Sequence, residues 1–434
     1  MKIINVRSLL AMALFAASLL TAGCGGGGTP AGVTVGAGGG GGGTAANVQS
    51  ISVNGGPLVS ATPSSIYPNG VFTSVTVCVP GSASCQTIDD VLVDTGSYGL
   101  RLLTSAVTSI TLPTLAATSG SGSLMNCVSF VDLSYLWGPV AVADIKLGTS
   151  EVASSSSLQL ISTATNVPTS CSNGGTADDD TVATLGSNGI LGVGPEPNDC
   201  GPACDPSFTT TPPTGDPYYN CTSSSCTAAL VPQANQVTNP VVLFADNNGV
   251  VMELPALTSG AEAEATLSGS LIFGINTQSN NQLPSTASVF TLNQFDNFTV
   301  NFPTCVSSAG GPGVCDFSFI DSGSNAYFFP DSSIPSCTDN GFFCPTGLTA
   351  LSATNVDPNT GFSKTVSFSV DNADTLFATN NFSDAVFSTL GGDQFRGQLR
   401  LGLAVFLRDE CIYRHRSTGN WRAGPVLGIL NLAY

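Results

Sequence analysis

The sequence predicts an all-β protein built as two lobes, and three observations carry that prediction. The first is composition: 49 Gly and 26 Pro with only 9% charged residues supply many turns and little for exposed helices. The second is patterning. Beyond the N-terminus, apolar runs of strand length alternate with Gly-, Pro- and Asn-containing turns, and no long Ala-Leu-Glu-Lys pattern intervenes. The third is an internal echo. Val91-Leu92-Val93-Asp94-Thr95-Gly96-Ser97 returns 227 residues later as Phe319-Ile320-Asp321-Ser322-Gly323-Ser324, in a chain of 434 residues. That length accommodates two lobes of about 200 residues each.

Each copy of the echo is an apolar strand that ends in Asp, Ser or Thr, Gly and Ser. A strand of this kind delivers its carboxylate into a sharp turn, where Gly lets another backbone approach closely. The flanking hydroxyls can hydrogen-bond the carboxylate or the facing loop. One copy would read simply as a turn held by its own Asp side chain. Two copies, each fed by a strand of buried type, predict that Asp94 and Asp321 meet as a carboxylate dyad at a pseudo-twofold axis.

Charge and histidine content exclude other chemistries. A formal net charge of −18 repels phosphate backbones, so no nucleic-acid partner is expected. The chain has one histidine, His415, between Arg414 and Arg416. Nucleophilic enzymes of the Ser-His-Asp or Cys-His kind need a positioned imidazole, and zinc sites draw on several His or clustered Cys. Carboxylate chemistry remains, with no metal and no cofactor expected.

In chain order, residues 1–23 read as a signal peptide: Lys2 and Arg7, the apolar run from Leu9 to Leu20, then small residues before Cys24. The stretch resembles the lipobox of bacterial lipoproteins, which makes Cys24 the expected lipidation site. Thr21 stands where such boxes usually carry Leu, so plain signal-peptidase cleavage is the alternative. Residues 24–46 form a Gly-rich, lipid-anchored linker, a flexible coil with a reach of about 25 Å. The expected location is an exported lipoprotein at the outer membrane, periplasm or cell surface.

The N-terminal β lobe is expected over residues 47–235, with strands at 48–53, 71–79 and 88–93, and a hairpin followed by a strand within 128–147. Asn188-Gly189-Ile190-Leu191-Gly192 is an apolar pair locked before a Gly. Residues 196–227 read as a surface insertion stapled by Cys200, Cys204, Cys221 and Cys226, where an oxidising compartment favours disulfides over zinc. The C-terminal β lobe is expected over 236–434. Its first hairpin is predicted at 241–245 and 250–254 around Asn247-Asn248-Gly249, then a strand at Gly269–Gly274, strands leading through Cys305 and Cys315 into the second motif, and closing strands at 399–408 and 424–430. Short spacings suggest the pairs 78/85, 200/204, 221/226, 305/315 and 337/344. Cys127, Cys171 and Cys411 remain, at least one of them free or paired between molecules.

Taken together, these motifs resemble those of the pepsin-like aspartic peptidases, over nearly all of residues 50–434. Val91–Ser97, Ile190-Leu191-Gly192, Gly269–Gly274, Phe319–Ser324 and the segment from Leu401-Gly402 to Arg408 match that family's motifs in order and spacing. The resemblance implies a bilobal pepsin-like acid protease fold, with two pseudo-twofold-related lobes and the cleft between them. It implies catalytic roles for Asp94 and Asp321, a bracing role for Thr95 and Ser322, and carboxylate-binding hydroxyls on Ser97 and Ser324. Gly96 and Gly323 would permit the close crossing of the loops. The implied activity is that of an aspartic endopeptidase, its polypeptide substrate lying extended between the lobes of a monomer. Three departures stand beside it. No Tyr-Gly-x-Gly turn lies between Leu124 and Gly148, where Phe130 or Tyr135 could supply the aromatic but neither has the Gly pair beside it; Arg400 replaces an apolar residue; and Leu403 and Ala404 are atypical after Gly402. A catalytically weak or inactive pepsin-fold protein that binds polypeptides at the cell envelope is the alternative function.

Overall fold

The computed structural model describes residues 45–431 apart from 58–66, 131–133, 164–166, 173–177, 214, 216, 258–262, 286, 296–298, 311–312, 339–340, 380–383, 394–398, 402–409 and 415–425. The signal peptide, Cys24, nearly all of the Gly-rich linker, His415 and the Gly402–Arg408 part of the closing segment lie outside the described residues.

The apolar run before Asp94 becomes strand Cys85–Asp94, with Val91, Leu92 and Val93 fully buried. A near-continuous apolar run is what a strand covered on both faces requires. It pairs in parallel with strand Gly189–Val193, Val93 facing Leu191 and Asp94 facing Gly192. The other arm of the same turn, strand Tyr98–Leu103, pairs antiparallel with the opposite edge of Gly189–Val193. The short strand is therefore threaded between the two arms of the Asp94 turn. Gly192 is needed for this, because a Cβ there would lie 2.6 Å from the Tyr98 backbone nitrogen.

The second half of the chain repeats the arrangement. Strand Val314–Ile320 runs parallel to Leu399–Leu401, and Tyr327–Phe328 pairs antiparallel with the opposite edge of that strand. Beneath both halves an antiparallel series joins Val48–Asn54, Leu267–Phe273, Gly249–Glu253, Glu410–Arg414, Val426–Asn431 and Ser288–Phe295 in that spatial order. It starts with the first strand of the described chain and includes the last. One apolar cluster runs through both halves, including Val93, Leu100 and Leu191 with Phe273, Ile320, Tyr327 and Phe368.

Two expectations are corrected, and one left open is resolved. Residues 241–245 do not form a strand: Pro240–Leu243 is a 3-10 helix, and strand Gly249–Glu253 pairs with Leu267–Phe273 and Glu410–Arg414 instead. The reason is local. Pro240 presets the first turn, and the Asn239 side chain accepts the Val241 N–H. The 196–227 insertion is more than a surface loop. It contributes strands Tyr218–Cys221 and Cys226–Ala228, the first paired with hairpin strand Ser123–Ser129, and it buries Asp199, Tyr218 and Tyr219. Two adjacent tyrosines hold too much apolar area to stay in water. The open question was the leftover cysteines: Cys127 and Cys171 are joined, a pairing that the sequence expectation allows. The five short-range disulfides form as expected, including Cys200–Cys204 and Cys221–Cys226, which leaves no thiolates in the insertion to hold zinc.

Candidate active site

The two Asp turns meet and lock onto each other reciprocally. The Thr95 N–H donates to Ser322 Oγ at 3.1 Å, and the Ser322 N–H donates to Thr95 Oγ1 at 2.9 Å. Each hydroxyl then donates onward across the interface, Thr95 Oγ1 to the Ile320 carbonyl at 3.0 Å and Ser322 Oγ to the Val93 carbonyl at 2.7 Å. All four bonds are buried, and each contributes about 1 kcal/mol net. Both acceptor carbonyls belong to residues preceding the aspartates, so the lock positions the carboxylates themselves.

The approach is as close as glycine allows. A Cβ on Gly96 would lie 2.7 Å from Oδ1 of Asp321, and one on Gly323 would lie 2.6 Å from Oδ1 of Asp94. Within each turn the same pattern holds. Oδ1 of Asp94 accepts the Gly96 N–H at 2.8 Å, and its Oδ2 accepts the Ser97 hydroxyl. Oδ1 of Asp321 accepts the Gly323 N–H at 3.0 Å, and its Oδ2 accepts the Ser324 hydroxyl at 2.6 Å. The Oδ1 atoms therefore face inward and the Oδ2 atoms outward, with one Ser on each side. All eight residues predicted for the dyad and its loops come together; the lipidation residue Cys24 is outside the described chain.

Electrostatics follow from this geometry. Asp94 and Asp321 are 7% and 4% exposed. Burial, the charge of Asp321 and a side-chain hydrogen bond with it push Asp94 up to about 7, against the opposing bonds from Ser97 and Gly96. Two carboxyl groups this close resist carrying two charges at once, which is why Asp94 holds its proton to a higher pH. Burial, followed by the charges of Glu196 and Asp94, also raises Tyr98, which keeps that phenol protonated beside the dyad.

The hairpin after the first turn consists of Ser123–Ser129 and Tyr135–Leu147. Neither aromatic at its tip is free to reach outward. Tyr135 is buried with Trp137, Tyr219 and the Cys127–Cys171 bridge, while the half-buried Phe130 packs against the cluster formed by Leu103, Leu136, Ile161, Leu185 and Ile190. The hairpin is also paired along its outer edge by Tyr218–Cys221. Among the described residues the one close grouping of metal-type donors is Cys337, Cys344 and Asp374, and its sulfurs are already joined as a disulfide. It offers no thiolate to a metal.

Sequence reading missed a second buried polar group. Arg101 donates to Oδ1 of Asn126 at 2.6 Å, to Oε1 of Gln159 at 2.7 Å and to Oδ2 of Asp199 at 3.1 Å. Asp199 also accepts from Asn126 at 3.0 Å and from the Tyr218 hydroxyl. The available signal was Arg101 itself, one of 11 basic residues, set in the apolar run Leu100-Arg101-Leu102-Leu103. Tyr67 is a further addition: its hydroxyl donates to the Gly323 carbonyl at 2.7 Å and supports the second turn.

A mainly β chain with two threaded Asp turns has the architecture of the pepsin-like fold. Among solved structures it is similar to the aspartic proteinase from Irpex lacteus, with a TM-score of 0.50 and 16% identity over 89% of this chain and 97% of that one. At that identity the likeness is one of fold. The chain belongs to the DUF3443 family, described as proteins of unknown function, whose model matches residues 43–426. No curated protein matches it by sequence.

Proposed function

We propose that this protein is an aspartic endopeptidase in which Asp94 and Asp321 together activate a water molecule against a peptide carbonyl. The observation that carries the proposal is the reciprocal Thr95–Ser322 lock, which holds two buried carboxyl groups within hydrogen-bonding reach of each other. The ionised member draws a proton from the water as general base. The protonated member donates to the carbonyl oxygen and stabilises the oxyanion as it forms. The dyad titrates as a unit, so the two roles belong to the pair rather than to fixed residues. Ser97 and Ser324 orient the outer oxygens, and Gly96 and Gly323 leave room for the approach.

The substrate on this reading is an extended polypeptide between an N-terminal lobe over 47–235 and a C-terminal lobe over 236–434. The enzyme is exported and tethered through a lipid on Cys24, with residues 24–46 as the linker. One sequence feature favours a second reading, a pepsin-fold protein that binds polypeptides without cleaving them: no Tyr-Gly-x-Gly turn lies between Leu124 and Gly148. A single experiment separates the two. Fragment 47–434 is secreted to the periplasm so that disulfides form, then incubated with a denatured protein mixture from pH 3 to 8, and cleavage is followed by mass spectrometry. Wild type is expected to cleave, with activity fading as pH rises through about 7, where Asp94 releases its proton. Asp94→Asn and Asp321→Asn are each expected to abolish cleavage. Identical behaviour of all three folded proteins would leave the binder as the function.

A further inference from the structure

Resting on the peptidase reading, we propose that Arg101 and Asp199 are a positioning pair, which fixes the hairpin strand Ser123–Ser129 against the Asp94 turn. The placement of the partners carries the inference. Arg101 lies on the strand that leaves the Asp94 turn, and its guanidinium also reaches back to the Tyr98 carbonyl at 3.4 Å. Its other partners come from three separate elements. Asn126 lies on the hairpin strand, Gln159 on strand Glu151–Ile161, and Asp199 at the start of the insertion. Tyr218, on the insertion strand paired to the hairpin, closes the circuit by donating to Asp199 while accepting the Val237 N–H at 2.7 Å.

Stability alone gives no reason for this arrangement. Arg101 is 2% exposed, and Asn126, Gln159 and Tyr218 are each 0% exposed. Burying a charge pair in such a place is commonly no more stabilising than filling it with apolar side chains. What the pair supplies is direction. A planar guanidinium bonds each acceptor at a fixed angle, so the turn, the hairpin and the insertion share one orientation. The hairpin is also held by the Cys127–Cys171 bridge, by the Tyr218–Cys221 strand and by its second strand, which pairs with Glu151–Ile161 and through it with Tyr98–Leu103. The guanidinium adds a direct side-chain link from Tyr98–Leu103 to the first hairpin strand at Asn126.

The test uses Arg101→Met and the double variant Arg101→Met/Asp199→Leu in the disulfide-bonded protein. The double variant removes both charges together, so it answers the question even where the single one does not fold. Cleavage is measured as kcat and KM per folded molecule, and hydrogen exchange is followed in residues 123–129. Small displacements of catalytic geometry cost on the order of 100-fold in rate. The expected result is a loss of kcat on that scale in both variants, with KM within about threefold of wild type and exchange at least ~10-fold faster in the hairpin strand. The double variant is expected to recover the unfolding midpoint but not kcat. Wild-type kcat in the folded double variant would overturn the positioning role, and so would its failure to fold, which puts the pair in the scaffold. Unchanged hairpin exchange overturns the clamp whatever the activity. Absence of cleavage by wild type instead overturns the peptidase reading, and the catalytic part of this inference falls with it.

Discussion

Replacing Asp94 by Asn should make the protein more stable at neutral pH than wild type, and by an amount that depends on pH in a defined way. Asp94 carries an ordinary value of 3.8 in the unfolded chain and is pushed up to about 7 in the folded one. Between those limits the folded state keeps a proton that the unfolded state has released, so folding takes up a proton and stability falls as pH rises. The contribution is fully present below pH 3.8 and lost as pH passes through about 7. Each pH unit in that window is worth about 1.4 kcal/mol, which gives about 4 kcal/mol in total. Asn has nearly the same shape and no charge to desolvate, so Asp94→Asn removes this term. The assay is urea unfolding of both proteins at intervals from pH 4 to 8, read as the difference between them, which cancels the titration of unaltered groups. The variant is expected to be close to wild type at pH 4 and to gain several kcal/mol by pH 8. A difference that stays constant within about 0.5 kcal/mol across the range would refute the shared-proton dyad, independently of any measurement of cleavage.

Two further predictions follow from the turn geometry and the N-terminus. Gly96→Ala places a methyl carbon 2.7 Å from Asp321 Oδ1; displacing that carboxylate is expected to lower kcat/KM by at least ~100-fold with the far-UV circular dichroism unchanged, whereas wild-type turnover would mean the turns do not abut. Cys24→Ser is expected to abolish incorporation of labelled palmitate and release the protein from the membrane fraction; label retained in the variant, or absent from wild type, removes the lipid anchor.

How much could be read from the chain depends on how far apart the cooperating residues lie. Each aspartate, its glycine and its hydroxyls sit within four consecutive residues after an apolar strand, so the motif displays most of its hydrogen bonding in one line of sequence. The threaded strand was legible for a similar reason: Ile190 and Leu191 are buried, and the next position accepts only glycine because of the Tyr98 backbone beside it. Pairing between distant segments has no such signature. Nothing near Tyr218 announces that it will extend the hairpin strand at Leu124 to Asn126, and spacing could not choose Cys127–Cys171 from three leftover cysteines. The 3-10 turn at Pro240 was a different failure. Its Asn-Pro start signal stood in plain view, and the apolar run behind it was read as a strand.

The contrast bears on where specificity is written in such a site. The two Asp motifs are local and repeat almost letter for letter in the two halves. The residues that orient them are dispersed, as Arg101 and Asp199 are, 98 positions apart yet 3.1 Å from each other. The first turn has Arg101 of this buried ion pair seven residues past its aspartate; the second turn takes support from the Tyr67 hydroxyl on Gly323. Equal motifs thus acquire unequal surroundings, although the mutual closeness of the two acids is by itself enough to resist ionisation of both. A basic residue inside an apolar strand that leaves such a turn is for that reason a useful signal. Desolvating a guanidinium is too costly to persist there without partners, and those partners must come from whatever segments the fold brings against the turn.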